Sequence, residues 1–296
     1  MATEVKRYQS FEIVRILSAF GIVWFHSGIF GHEVAYSGLT YFILLSLYME
    51  FGPNFQKSRQ IGTTSLRLIV PWILWFVVFA LVNVTRSKPP MSIEFGVIPG
   101  ILAGSSIHLW YIPFILMVIA ISTVLKRVST PSAVGYLSAI VAGLILVTVP
   151  IWRPESMEAA PPIGQYVQAA APVFIGIFCG VQERLRFGRL LIVILIALMI
   201  YVVTLPFPGV GLPYLIGVFG LIVAIATRRW NFVQHHALEE VSQCMFGVYI
   251  IHPIFLMLLH LIGQRGVISV ISAFFLSTVT VLFTRRHATT VSEFIF

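Results

Sequence analysis

Ten apolar runs, at about 11–30, 34–51, 68–84, 107–125, 133–151, 166–182, 190–207, 210–227, 243–262 and 267–284, limit what this chain can fold into. Each is near the ~20 residues that an α-helix needs to cross the hydrocarbon of a bilayer. Backbone polar groups in hydrocarbon are satisfied within the segment only by a helix. The expectation is an all-α fold, a polytopic membrane helix bundle of about ten transmembrane helices. Composition agrees, since 58% of the 296 residues are hydrophobic and 10% are charged, with a mean hydropathy of +0.95. Such values exclude an ordinary soluble domain. No repeat, low-complexity segment or soluble insertion breaks the pattern, so residues 1–296 read as one transmembrane domain.

The net charge of +8 sits in short clusters between the apolar runs, which fits membrane topology better than a nucleic-acid partner. With the N-terminus inside, fourteen of the 19 Lys and Arg fall on one side, while Arg86, Lys88, Arg153 and Arg265 fall on the other. That asymmetry predicts cytoplasmic termini. Lys6 and Arg7 precede the first run, but the run is long, interrupted by charge and without a small-residue cleavage signature. It reads as a retained span rather than a signal peptide. Cys179 and Cys244, the two cysteines, form no paired framework, so neither a disulfide scaffold nor a metal site is expected.

The first run, FEIVRILSAFGIVWFHSGIF, carries Glu12, Arg15 and His26. Ionisable groups inside a span are costly and are functional candidates for that reason. Arg15 and His26 are eleven residues apart, ~20° past three helical turns and roughly 16 Å along the axis, so they share a face. Glu12, three residues before Arg15, is placed to pair with it. The plainer alternative has Glu12 and Arg15 snorkelling to the interface and His26 as a satisfied core residue.

Other stretches hold candidates or local features. Lys57, Arg59 and Arg67 cluster after Gly52-Pro53, as ordinary positive-inside charge or as an anion site for a phosphorylated ligand. Pro71 falls in the first turn of the third expected span, where proline is tolerated, and VIPGILAG in the following loop suits an interfacial or re-entrant piece. His108, Trp110 and Tyr111 open the fourth span, the two aromatics readable as interfacial belt residues or as site lining. The segment WRPESMEAAPPIGQ reads as a solvated loop or as the edge of a site, and Cys179 as part of a close helix-packing stretch. In the ninth run, Tyr249 and His252 lie on neighbouring parts of one face, with Ser242 upstream, and Pro253 frees a backbone carbonyl about a turn earlier, which reads as a kinked helix with a hydrogen-bonded histidine or as a lining of the site.

On this topology His26, His108 and His252 lie between mid-membrane and the outer surface. Arg15, Lys57, Arg59 and Arg67 lie at or near the cytoplasmic one. A chemical centre on one side and an anion-binding mouth on the other suit a cytoplasmic activated donor and an external acceptor.

Glu12-x-x-Arg15, followed by ten residues and His26, resembles the signature of the acyltransferase 3 family of integral-membrane acyltransferases. So do the Lys57/Arg59 cluster, Arg67 four residues before Pro71, His108-Leu-Trp-Tyr-x-Pro113, and Ser242 with Tyr249-x-x-His252-Pro253. The resemblance spans nearly the full chain. Two details depart from it: Leu45-Ser46-Leu47 stands where the family commonly has Ser-Gly, and the loop cations are more widely spaced. It implies a bacterial inner-membrane enzyme with His26 catalytic and Arg15 needed for activity or donor placement. Acetyl-CoA is the usual donor, and a glycan or lipid-linked sugar, as in exopolysaccharide or lipopolysaccharide, is the acceptor. His26 then serves as general base on an acceptor hydroxyl or forms an acyl-imidazole. The competing expectation is a proton-coupled secondary transporter using Arg15, His26 and His252 as a relay.

Overall fold

The computed structural model describes residues 8–52, 55, 61–230 and 236–296. Among them every regular element is helical: α1 (Gln9–Ser27), α2 (His32–Ala35), α3 (Ser37–Phe51), α4 (Ile61–Thr85), α5 (Val97–Ala103), α6 (Tyr111–Val128), α7 (Pro131–Val147), α8 (Val149–Glu158), α9 (Ile163–Val181), α10 (Gly188–Val203), α11 (Leu212–Ala226), α12 (His236–Gln243), α13 (Met245–Leu261), α14 (Val267–His287) and α15 (Thr289–Ile295). Short 3-10 turns cover Ile107–Trp110 and Gln182–Arg184.

All ten apolar runs fall on helices, but those helices differ in how they meet the demands of a bilayer. Five stretches are long and apolar enough to cross one: His32–Phe51, Ser65–Thr85, Ile107–Val128, Ile163–Arg184 and Val267–His287. Two further pairs qualify as broken spans, α7 with α8 bent by 73° and α12 with α13 bent by 61°, bringing the number to seven. The apolar helices α10 and α11 are shorter. The opening helix α1 is not among the qualifying stretches, because the ionisable residues that single it out dilute its hydropathy. Exposed apolar side chains run along α4 (Ile73, Val77, Leu81, Val84) and α14 (Ile268, Ile271, Phe275, Val279). Such stripes are a liability in water and the ordinary state of a lipid-facing helix.

The chain divides into two compact units. One holds residues up to Phe42 and, from Leu212, the C-terminal helices. Within it α1 is the central element, packed against α2, α11, α12, α13 and α14, while α13 lies along α14. Glycines let these backbones close up: a Cβ at Gly21 would stand 3.0 Å from the Ala35 carbonyl oxygen, and one at Gly38 would collide with that of Ser18. Gly247 is held as tightly, since an added Cβ would lie 2.8 Å from Val281. Ser10 adds a polar tie, its hydroxyl donating to the Ala224 carbonyl at 2.8 Å.

The other unit runs from Ile43 to Gly211 with Glu293–Ile295. There α9 packs on α7 and α8, α10 on α7, and α4 on α6. Lys126 donates to Glu50 Oε1 at 2.5 Å, an ion pair whose side chains are both less than a tenth exposed. Two sequence expectations change in this unit. Pro71 lies well inside α4, because the helix starts at Ile61. The stretch expected as a solvated loop forms α8 through Glu158, and its Arg153 is buried rather than solvated. Arg153 Nη2 donates to the Pro208 carbonyl at 2.8 Å and Nη1 to Gln168 Oε1 at 3.4 Å, so the guanidinium ties α8 and α9 to the 205–211 turn. Most of VIPGILAG coils into the seven-residue α5 between Gly96 and Gly104, both at positive φ.

The Gly38 crossing is testable. Gly38→Ala puts a methyl group against backbone that cannot rotate away, and overpacking of this kind costs about 1–3 kcal/mol. Gly143→Ala is the control, since its Cβ would meet only a flexible Leu198 side chain at 3.7 Å. Thermal unfolding of detergent-solubilised protein is expected to fall for the first variant and to hold or rise for the second.

Candidate functional site along α1

Near its N-terminus α1 presents an ion pair that a third side chain completes. Glu12 is buried, 6% exposed, and its Oε2 accepts from Arg15 Nη1 at 2.7 Å. The i, i+3 spacing brings the two onto one face, as the sequence suggested. The same Arg15 nitrogen donates to Ser242 Oγ at 3.2 Å, and the Ser242 hydroxyl donates to Glu12 Oε2. The Arg15 side chain keeps 29% of its exposure, so the cation is matched to Glu12 yet not sealed away. Snorkelling does not describe this arrangement, because the carboxylate is buried inside the unit.

Ser242 belongs to α12, which α14 also grips. Arg285 donates through Nη1 to the Gln243 backbone carbonyl at 3.2 Å and through Nη2 to Gln243 Oε1 at 2.8 Å. Gln243 in turn donates to Glu239 at 3.0 Å, and Arg286 pairs with Glu240. The Gln243 carbonyl stands where the helix breaks at Cys244, so Arg285 satisfies a group at the bend. Arg285 and Arg286 are among the fourteen cations that the positive-inside pattern places on the cytoplasmic side. The sequence signal for more was their place in the last turn of a helix, where cations complement the dipole.

Near its C-terminus α1 carries His26, one residue before the helix ends at Ser27. Gly28, at φ 67°, turns the chain, and its N–H donates to the Phe25 carbonyl. Trp24 Nε1 then donates to the Phe30 carbonyl at 2.9 Å, folding the turn back on the helix. The His26 ring lies 5.1 Å from the ring of His252. His252 is fully buried, and Tyr249, also buried, has its ring 6.4 Å away. The Nδ1 of His252 lies 2.8 Å from the Tyr249 carbonyl oxygen and 3.1 Å from that of Val248. Pro253, inside α13, has no N–H for the Tyr249 carbonyl four residues back, and the imidazole takes its place.

Arg15 therefore meets α12 and His26 meets α13, the two halves of one bent segment. Chemically this offers a guanidinium with a buried carboxylate partner at one end and a pair of imidazoles at the other. Imidazole titrates near neutral pH when unperturbed and is the commonest general base.

The remaining candidates lie in the other unit or outside the described residues. Lys57 and Arg59 lie outside them, and Arg67 is exposed on α4. His108 is buried, with Nδ1 2.9 Å from Ser106 Oγ and its ring against Phe79. Trp110 and Tyr111 are buried too, so the interfacial-belt reading fails for both. Trp110 packs against Phe114 and Tyr166, because aromatic neighbours in its own unit offer it more contact than an interface would. Among the described residues no three His, Cys, Asp or Glu side chains gather as metal ligands would.

A family model described as an acyltransferase domain, Acyl_transf_3, matches residues 8–285. Neither the curated proteins nor the solved structures yield a match.

The Glu12–Arg15 pair is open to a double-mutant cycle. Glu12→Gln and Arg15→Gln are each expected to lower the unfolding midpoint in detergent, with a coupling of about 1–2 kcal/mol because Arg15 is part-exposed. Additive effects would show that the two charges do not support one another.

Proposed function

The chain belongs to the acyltransferase 3 family, and from this membership we propose the reaction this membrane acyltransferase performs. It moves an acyl group, acetyl in the first instance, from cytoplasmic acyl-CoA to a hydroxyl of an extracytoplasmic glycan such as exopolysaccharide or lipopolysaccharide. Its setting is the bacterial inner membrane, with both termini in the cytoplasm. Ten crossings follow if α1, α10 and α11 join the seven spans that meet the length and composition criteria.

The observation that carries this reading is the facing of α1, whose Arg15 reaches Ser242 and whose His26 ring lies against His252. An acyl transfer to a hydroxyl needs a base for the attacking O–H and a cationic environment for a phosphorylated donor, and α1 carries both residue types on one face. In the proposed reaction a ring nitrogen of His26 takes the proton of the acceptor hydroxyl as its oxygen attacks the thioester carbonyl. The C–S bond then breaks, the thiolate leaves with that proton, and an ester remains on the glycan. The CoA phosphates are assigned to Lys57, Arg59 and Arg67, with Arg15 as a further cation. His108, Trp110, Tyr111, Tyr249 and Ser242 are assigned to acceptor binding or to lining the site. The transporter relay finds no support, since family membership points to group transfer.

Two measurements test this. His26→Ala, inserted and folded, is expected to lose about 100-fold or more in acyl transfer, read as free thiol released from acetyl-CoA with a glycan acceptor. Transfer at the wild-type rate would end the proposal. Arg67→Gln is expected to raise KM for acetyl-CoA several-fold while leaving KM for acetyl-pantetheine, which lacks the nucleotide phosphates, nearly unchanged. Equal effects on both donors would remove the phosphate assignment.

A further inference from the structure

In the unit that runs from Ile43 to Gly211, Lys126, Arg153 and Arg184 are each tied to an acceptor of the fold. Arg186 and Arg189 are not. Among the described residues neither meets a carboxylate or a carbonyl, and the Arg186 guanidinium lies 5.2 Å from the centre of the Phe187 ring. The turn that presents them is firmly held. The Leu185 N–H donates to the Gln182 carbonyl at 3.1 Å, and the Gly188 N–H to the Leu185 carbonyl at 3.2 Å. Leu185 is buried beside α7, where a Cβ added at Gly135 would stand 2.9 Å from it. With Leu185 taken inward, Arg186 and Phe187 are left at the surface.

Beside this turn opens a cleft of about 860 Å³, lined among others by Gln182, Glu183, Arg186, Phe187, Arg189 and Leu190. Two arginines against one glutamate leave it one net positive charge. From the cleft α10 continues as an apolar helix with two unlike faces. Leu195, Met199 and Val202 are buried, and α10 packs on α7. Leu190, Val193 and Ile200 are each more than half exposed and share the opposite face. An exposed apolar stripe of this kind is at home against acyl chains.

We propose that this cleft binds an anionic phospholipid, with Arg186 and Arg189 on the headgroup phosphate and the acyl chains laid along Leu190, Val193 and Ile200. Guanidinium suits a phosphate because its planar fork donates two parallel hydrogen bonds to the oxygens. Charge complementarity identifies the occupant: a headgroup with one net negative charge matches the cleft, whereas a choline headgroup brings a cation of its own beside the two arginines. Basic pockets at the ends of apolar helices recognise anionic headgroups in this way. Positive-inside charge alone needs no cleft, and here the free cations stop where the lipid-facing stripe begins. On the topology proposed above the turn meets the cytoplasmic leaflet, whose surface is the anionic one. None of these residues is assigned to the reaction, and the binding does not depend on which group the enzyme transfers.

Full-length protein in detergent, offered equal amounts of phosphatidylglycerol and phosphatidylcholine, is expected to retain mainly the former in native mass spectra. Arg186→Gln with Arg189→Gln is expected to lower the retained phosphatidylglycerol about 5-fold or more, and Arg228→Gln with Arg229→Gln, which removes as much charge outside the cleft, to change it by less than about twofold. Equal losses in the two double variants, or equal retention of the two lipids, would overturn the proposal. So would displacement of the phosphatidylglycerol by excess acetyl-CoA, which would give the cleft to a soluble phosphorylated ligand. A second measurement needs no variant: wild-type protein is labelled with phosphatidylglycerol that carries a photoactivatable diazirine in an acyl chain. Adducts concentrated between Leu190 and Ile200 support the proposal, and adducts spread evenly over the exposed stripes of α4, α10 and α14 overturn it even if the first double variant fails to fold.

Discussion

A charge placed among apolar helices persists only when a partner of opposite sign, or enough hydrogen-bonding groups, is placed there with it. The contact of Glu12 with Arg15 and Ser242 meets that condition for α1. It does more than neutralise a charge. Because Ser242 comes from more than two hundred residues away, the carboxylate sets α1 against α12, and the single-residue break at Cys244 carries that placement on to α13 and His252. A polar contact near one end of α1 thereby helps determine what the imidazole near the other end will meet.

The same economy recurs through the chain. Lys126 is paired with Glu50, Arg153 spreads its donors over the Pro208 carbonyl, Ser156 and Gln168, and Arg184 donates to the Gly52 carbonyl at 3.0 Å. Several of these acceptors are backbone carbonyls at helix ends or turns, groups that a helix leaves without an internal partner. Arg285 at the Gln243 carbonyl and His252 at the Tyr249 carbonyl follow the same rule inside a bent segment. In a chain with few charged residues, these cations act as structural ties, Lys126 through a counter-charge and Arg153, Arg184 and Arg285 through neutral acceptors.

Much of this was legible from residue spacing. Glu12 and Arg15 at i, i+3 had to share a face, and Tyr249, His252 and Pro253 announced a carbonyl without its usual donor. The apolar runs predicted helices, and all ten contain them. Errors arose where local rules competed with packing. Pro71 suggested a helix start, yet α4 runs through it from Ile61. Arg153 lies in a polar, proline-rich stretch that reads as solvated, and the acceptors that satisfy it when buried come from the 205–211 turn together with Ser156 and Gln168. Trp110 and Tyr111 match interfacial aromatics by composition alone, whereas both are buried, Trp110 against Phe114 and Tyr166.

By itself the sequence determined the all-helical membrane class, the shared face of Arg15 and His26, and the resemblance that the family match substantiates. These properties follow from period, length and residue type, which are local. Only the tertiary structure decided that Ser242 completes the Glu12–Arg15 pair, that Arg285 holds the bend at Gln243, and that His26 lies against a histidine whose Nδ1 faces the Tyr249 carbonyl. Those facts depend on which helix faces which, and a helix's own periodicity says which face is special without saying what will stand opposite.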